Sequence, residues 1–288
     1  MPFETIRTEK ADGILTVTLS RPEKLNAYTG GLGMELARVF EDANTDDDVR
    51  VIVVTGEGRA FCAGADLSGG PTSFAGGEGS AYGDSGDAWD DCRWVRAIYN
   101  CLKPSIAAIN GPAFGVGFTM PLVMDMRIAS TTAKFGPVFA KIGLFPEAAA
   151  TWFLPRIVGV SQAMQWFFTA EVFDAQEAQR SGLVSEVVEP DALLARAYDL
   201  AGKIVRNTAP VSVAVTRQLF QRCSEAATPM ELMLIDSQLN REAGLGKDVP
   251  AGVAALLAKQ APVFPGRVTT DMPPTFPWWT PETRPTTA

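Results

Sequence analysis

At 288 residues, with 47% hydrophobic and 20% charged residues, the chain has a globular composition and enough length to bury a large core. Acidic residues outnumber basic ones by 33 to 25, and the net charge of −8 excludes the basic face of a general nucleic-acid or anionic-membrane binder. There is no histidine, which removes the imidazole base of Ser-His-Asp and Cys-His enzymes and the ligands of HExxH hydrolases and Cys/His fingers. Proton transfer near neutral pH is left to carboxylates, Lys, Tyr, Cys or water. Cys62, Cys92, Cys101 and Cys223 form no CxxC pair and read as free thiols of a reducing compartment. The opening residues lack the apolar stretch of a signal peptide, and no apolar run reaches the ~18 residues of a membrane span. A cytoplasmic protein without a membrane partner is expected.

Residues 3–19 predict two strands around an Asp12-Gly13 turn. Leu32, Leu36, Val39 and Phe40 recur at helical spacing, and Asn44 to Asp48 closes that helix. Val51 to Val54 is the continuous apolar run of a buried parallel strand. Residues 68–91 hold seven Gly and five acidic residues and read as a long loop, either functional or disordered. Strands are expected at Ser105 to Ile109 and Arg127 to Ala129, with a glycine-containing helix start at Gly115 between them. Ser161 is expected to cap a helix carrying Ala163, Met164, Trp166 and Phe167. Asp174 and Glu177 open the next helix, Gly182 ends it, and Leu183 to Val188 reads as a strand. Residues 191–260 predict three or four helices. Residues 262–288 carry seven prolines and the Trp278-Trp279 pair. They read as an extended tail, either a disordered end or a segment packed on a neighbouring subunit. Alternating strands and helices followed by helices alone predict an α/β core with a helical appendage.

Two segments of small residues follow predicted buried strands: Gly58-Arg59-Ala60-Phe61-Cys62-Ala63-Gly64-Ala65-Asp66-Leu67 and Asn110-Gly111-Pro112-Ala113-Phe114-Gly115-Val116-Gly117. Small side chains let a ligand approach the backbone, and a helix start leaves N–H groups unpaired. Two such donors from different loops would make an oxyanion hole. Each segment alone reads equally as a tight strand-to-helix turn with no catalytic role.

Taken together with RPEKLNA (21–27), FGPVFAKIGLFPEAAATWFLPRIVG (135–159) and AQEAQRSGLVSEVV (175–188), these segments resemble the crotonase, or enoyl-CoA hydratase/isomerase, superfamily. The resemblance runs from about residue 3 to about residue 265 and leaves out the 68–91 loop and the tail. It implies an α/β spiral of ββα units over residues 1–190, a helical trimerisation region over 191–265, and outside both a Pro-rich tail over 266–288. It implies acyl-CoA thioester substrates, a homotrimer or hexamer, and no cofactor beyond the CoA of the substrate. It assigns the oxyanion donors to the main-chain N–H groups of Ala65 and Val116. By analogy Lys24, and with it Arg21, would meet CoA phosphates. Ala27, Ala63, Asp66, Leu67, Gly115 and Phe139 would line the substrate site, with Trp152 and Phe153 as further candidates for the acyl pocket. Read from its own loop, Asp66 is better suited to ordering backbone N–H groups, and Cys62 to packing.

Hydratases of this family use two glutamates, and the matching positions here hold Thr119 and Phe139. Glu147 stands where isomerases of the peroxisomal type carry a single catalytic Glu. In its own right it sits among Leu144, Phe145, Pro146 and three alanines. It could face a pocket, with burial raising its pKa, or lie in a first helical turn facing solvent. The expected reaction is a shift of a 3-enoyl-CoA double bond to the 2-position with Glu147 as acid and base. Two alternatives stay open: a hydratase, or another crotonase-type lyase or hydrolase, using Asp84, Asp87, Asp90 or Asp91 of the 68–91 loop, and an acyl-CoA-binding protein without catalysis.

Overall fold

Asp12 and Gly13 both take positive φ, 51° and 78°, and this turn returns the chain from β1 (Ile6–Ala11) into the antiparallel β2 (Ile14–Leu19). The computed structural model of the chain describes residues 3–75 and 87–280. Thr29 caps α1 (Gly30–Asn44) by accepting from the Leu32 N–H, and the helix buries the expected stripe of Leu32, Leu36, Val39 and Phe40. It feeds β3 (Val51–Gly56), whose six residues are all buried. α2 (Ala88–Asp91) is a single turn capped by Asp87. α3 (Arg93–Asn100), which the sequence reading did not mark, buries Trp94, Ala97 and Ile98 in the core that α1 also fills.

β4 (Ser105–Ile109), β5 (Ala113–Phe114), α4 (Val116–Thr119), β6 (Met126–Ser130) and β7 (Lys134–Gly136) follow. Next come α5 (Ala150–Val158), α6 (Val160–Thr169), β8 (Phe173–Asp174), α7 (Ala175–Arg180) and β9 (Glu186–Val188). The main sheet has the order β1-β2-β3-β4-β6-β9, parallel from β2 onward, and β5, β7 and β8 form a second, small sheet. Because side chains alternate along a strand, Ile52, Val54, Ala107 and Ile109 enter the main core, while Val51, Val53, Ile106 and Ala108 point the other way. That second face is covered by Leu193, Ala197 and Ala201 of α8 (Leu193–Asn207). Two buried faces explain why β3 and β4 read as unbroken apolar runs. α9 (Pro210–Arg222), α10 (Pro229–Gly244) and α11 (Asp248–Ala258) complete the helical part.

Three expectations are corrected. The predicted strand at 183–188 is paired over Glu186–Val188 alone, because the Leu183 carbonyl accepts from the Arg127 guanidinium rather than from a ladder. Ser161 does not cap α6; the chain enters that helix through Gly159 at φ 81°, which leaves Ser161 inside the first turn. The described part of the tail does not hang free, since it packs on its own chain. The Thr269 N–H and hydroxyl donate to Asp47, Lys247 pairs with Asp271 at 2.6 Å, and Arg222 stacks 3.9 Å over the Trp279 ring. Asp84 and the end of the tail lie outside the described residues. No helix among those described is long and apolar enough to cross a membrane.

Candidate active site

The loop after β3 is laced between its neighbours by main-chain hydrogen bonds. The Tyr28 N–H donates to the Gly64 carbonyl (2.8 Å) and the Asp66 N–H to the Tyr28 carbonyl (2.8 Å). On the other side the Cys62 N–H donates to the Pro112 carbonyl (3.1 Å) and the Phe114 N–H to the Cys62 carbonyl (3.0 Å). Close approach makes this possible: a β-carbon at Gly117 would fall 2.0 Å from the Cys62 carbonyl oxygen. A β-carbon at Gly115 would in turn sit 3.7 Å from the Gly64 Cα, so the residues just before Ala65 and Val116 lie close together.

This lacing pairs the N–H groups of Phe61, Cys62, Ala63 and Asp66 but not that of Ala65. Gly64, at φ 107°, turns the chain immediately before Ala65, and Val116 is the first residue of α4. Among the described residues, the N–H groups of Ala65 and Val116 donate to no protein acceptor. The arrangement is thus chemically able to receive an oxyanion, from two donors on touching loops.

Glu147 reaches the same region from another element. It is not in a helix. Two residues, Ala148 and Ala149, separate it from the start of α5, and both take φ 54°. Left-handed alanines cost on the order of 1 kcal/mol each, a strain that swings Glu147 inward ahead of the helix. Its Oε1 accepts from the Thr119 hydroxyl at 2.9 Å. Burial raises the Glu147 pKa above the ordinary glutamate range, and the Thr119 bond offsets part of that rise. Phe139, 6% exposed, packs in the core beside Phe167. Phe145, by contrast, is 84% exposed and does not desolvate Glu147; the half-buried Leu144 and buried Ala148 lie on the core side instead.

The remaining candidates separate into rim and frame. Leu67 and Lys24 are exposed, with the Lys24 Nζ 3.3 Å from the Ser68 hydroxyl, while Ala63 is half-buried and Ala27 buried. Arg21 is engaged internally, donating to the Ala27 carbonyl and pairing with Asp66 at 2.7 Å. Hydrogen bonds from Ser68 and Arg21 hold the Asp66 carboxyl down to about 2, so Asp66 orders its loop. Cys62 is fully buried and its thiol is pushed up to about 12, in keeping with packing. Trp152 is partly exposed beneath the Arg156 guanidinium, and Phe153 is half-buried with its ring edge on Tyr99.

Two residues that the sequence reading passed over support the site. Asn26 is wholly buried and bridges three segments, donating to the Glu57 and Ala60 carbonyls and accepting from the Arg21 N–H. Tyr28 is buried against Trp94, and its hydroxyl is raised by burial and by the charge of Glu147. The only signal of either was its place by the RPEKLNA segment (21–27), Asn26 inside it and Tyr28 just after it. A cavity of about 880 Å³ among α9, α10, α11 and the tail contains none of the candidate residues.

The Enoyl-CoA hydratase/isomerase family profile matches residues 9–267. The chain belongs to that family. The crotonase resemblance is therefore established, and the relatives are enzymes. The chain is 34% identical over 279 residues to the 1,2-epoxyphenylacetyl-CoA isomerase of Escherichia coli K12, covering 92% of this chain and 100% of that one. It is 35% identical over 257 residues to the 2,3-dehydroadipyl-CoA hydratase of the same organism, covering 88% and 96%. The crystal structure of enoyl-CoA hydratase from Bacillus anthracis superposes with a TM-score of 0.82 at 28% identity, over 92% of this chain and 100% of that one. The fold is thus the α/β crotonase fold, and family members of both reaction types are close in sequence.

Proposed function

We propose that the protein is an acyl-CoA isomerase that moves a 3-enoyl-CoA double bond into conjugation, with Glu147 as its single acid and base. The observation that carries this reading is the composition of the site: one half-buried carboxylate with a raised pKa, and Thr119 and Phe139 where a hydratase would place two glutamates. Glu147 takes a proton from C2, and the N–H groups of Ala65 and Val116 hold the thioester oxygen of the dienolate. The same carboxyl returns the proton to C4. One carboxylate suffices because both carbons share one face of a planar system, whereas hydration needs a water to be both oriented and deprotonated. The reading uses no metal or redox cofactor, and CoA enters as part of the substrate, with Lys24 at the rim for its phosphates. A homotrimer or hexamer built through the C-terminal helices, where Phe220 and Leu257 are exposed, and a cytoplasmic setting for the four free thiols belong to the same reading.

A hydratase is the second reading. It is favoured by Asp91, whose charge reaches the same Tyr28 hydroxyl that Glu147 influences. The two are separated by supplying 3-enoyl-CoA and 2-enoyl-CoA and following conjugation and water addition independently. Conjugation that Glu147→Gln abolishes supports the isomerase. Water addition that survives Glu147→Gln but not Asp91→Asn supports the hydratase.

A further inference from the structure

Thr119 stands at a position where a catalytic glutamate is missing, yet it is fully buried and makes the one side-chain hydrogen bond that Glu147 receives among the described residues. Its hydroxyl has two acceptors in reach, Glu147 Oε1 at 2.9 Å and the Val116 carbonyl at 3.3 Å, and only one proton to give. The nearer, ionised acceptor takes it. The β-branched side chain has few rotamers on α4, so the bond fixes the carboxylate rather than following it.

The other carboxylate oxygen is left differently placed. Glu147 Oε2 has no protein partner among the described residues, and it is not sealed in: the buried side-chain N and O atoms without a partner are Lys103 Nζ and Asp248 Oδ2. One oxygen is therefore tethered and the other is open. α4 also begins at Val116, so the tether links the carboxylate to the element that presents one of the two free N–H groups.

We propose that Thr119 is a positioning residue that holds Glu147 by Oε1 and thereby makes Oε2 the oxygen that both removes and returns the proton. This rests on the reading of Glu147 as the acid and base. In the first step the C2–H bond breaks, the Oε2–H bond forms and the electron pair passes into the dienolate. In the second the Oε2–H bond breaks and the C4–H bond forms, leaving Glu147 as it began. Throughout, the Thr119 hydroxyl donates to Oε1. It favours the carboxylate over the acid and so favours release of the proton. The titratable groups that face Glu147 from neighbouring elements are Tyr28 before α1, Cys62 in the 58–67 loop and Cys92 between α2 and α3. Burial pushes all three upward, so they stay neutral while Glu147 titrates.

The test compares Thr119→Val and Thr119→Ser with the parent on a 3-enoyl-CoA thioester. It reads the pH profile of kcat/KM and, in deuterated water, the share of product deuterated at C4. Thr119→Val is expected to lower kcat/KM about tenfold on the acidic limb but within about threefold on the plateau. It is also expected to raise deuteration at C4, because an untethered carboxyl rotates and exchanges its proton. Thr119→Ser restores both. If Thr119→Val does not fold, Thr119→Ala removes the same hydroxyl and is read identically. An unchanged acidic limb and unchanged deuteration, with Glu147→Gln inactive, overturns the role of Thr119 alone. Activity that survives in Glu147→Gln overturns the underlying reading of Glu147.

Discussion

Gly117 and Cys62 are in backbone contact, so that a β-carbon on Gly117 would lie 2.0 Å from the Cys62 carbonyl oxygen and 2.8 Å from its carbon. Neither neighbour is the far end of a flexible side chain, and the clash is relieved only by moving a loop. Gly117→Ala is therefore expected to lower the unfolding free energy by about 1–3 kcal/mol and to reduce turnover more than substrate affinity. The displaced loops carry Ala65 and Val116. Gly244→Ala, at the end of α10 with nothing within 4 Å of its β-carbon, is the matched control and leaves both unchanged. Denaturant titration and steady-state kinetics of the two variants test the contact.

The buried carboxyl of Glu147 has a cost that depends on pH. Its pKa is raised by burial, so the folded chain binds its proton more tightly than the unfolded chain does. Stability then falls as pH rises from the ordinary glutamate value through the raised one, and the whole cost is present above it. Glu147→Gln, which carries no charge, is expected to raise the Tm at neutral pH and to leave it little changed below about pH 4. A variant that melts below the parent at neutral pH would show that the charged form is not disfavoured in the fold.

Asp66 has the opposite sign. Its carboxyl is held at about 2, first by Ser68 and then by Arg21, so its contribution is present above the ordinary aspartate value and fades as pH falls toward 2. Asp66→Asn is expected to cost about 1 kcal/mol at neutral pH, with the difference from the parent closing in acid. Unfolding curves collected down the pH scale check whether the two lines converge.

Lys103 is 2% exposed, and its Nζ has no hydrogen-bond partner among the described residues. Burial lowers its pKa, so the unfolded chain binds the proton more readily and the fold carries a penalty that is largest at neutral pH. Lys103→Met keeps the volume and removes the charge. It is expected to stabilise the protein by about 1 kcal/mol or more at pH 7, with less gain as pH approaches the ordinary lysine value. A loss of stability at pH 7 would mean that the ammonium is paired in solution.

The central strands β3 and β4 were legible because both their faces are buried, which leaves the runs Val51–Gly56 and Ser105–Ile109 almost free of polar residues. α1 announced itself through four apolar residues on one face, whereas α3 follows an acidic loop and buries only Trp94, Ala97 and Ile98, a stripe too short to stand out. Glu147 was identifiable as a candidate from its motif, but its direction was not. It depends on Ala148 and Ala149 adopting φ 54°, a conformation that alanine does not favour and no local pattern foretells. Thr119 was visible only as a missing acid. Its value lies in a bond across 28 residues of chain, which spacing along the sequence does not reveal.

The clasp between Thr269 and Asp47 also sets an order of events during synthesis. The two residues are 222 positions apart, so Asp47, at the end of α1, leaves the ribosome long before its partner exists. Sheet strands and their covering helix can pair as they emerge, but this end of the molecule has to wait for the tail. A nascent chain stalled before residue 269 would hold its sheet and covering helix with this fastening still open.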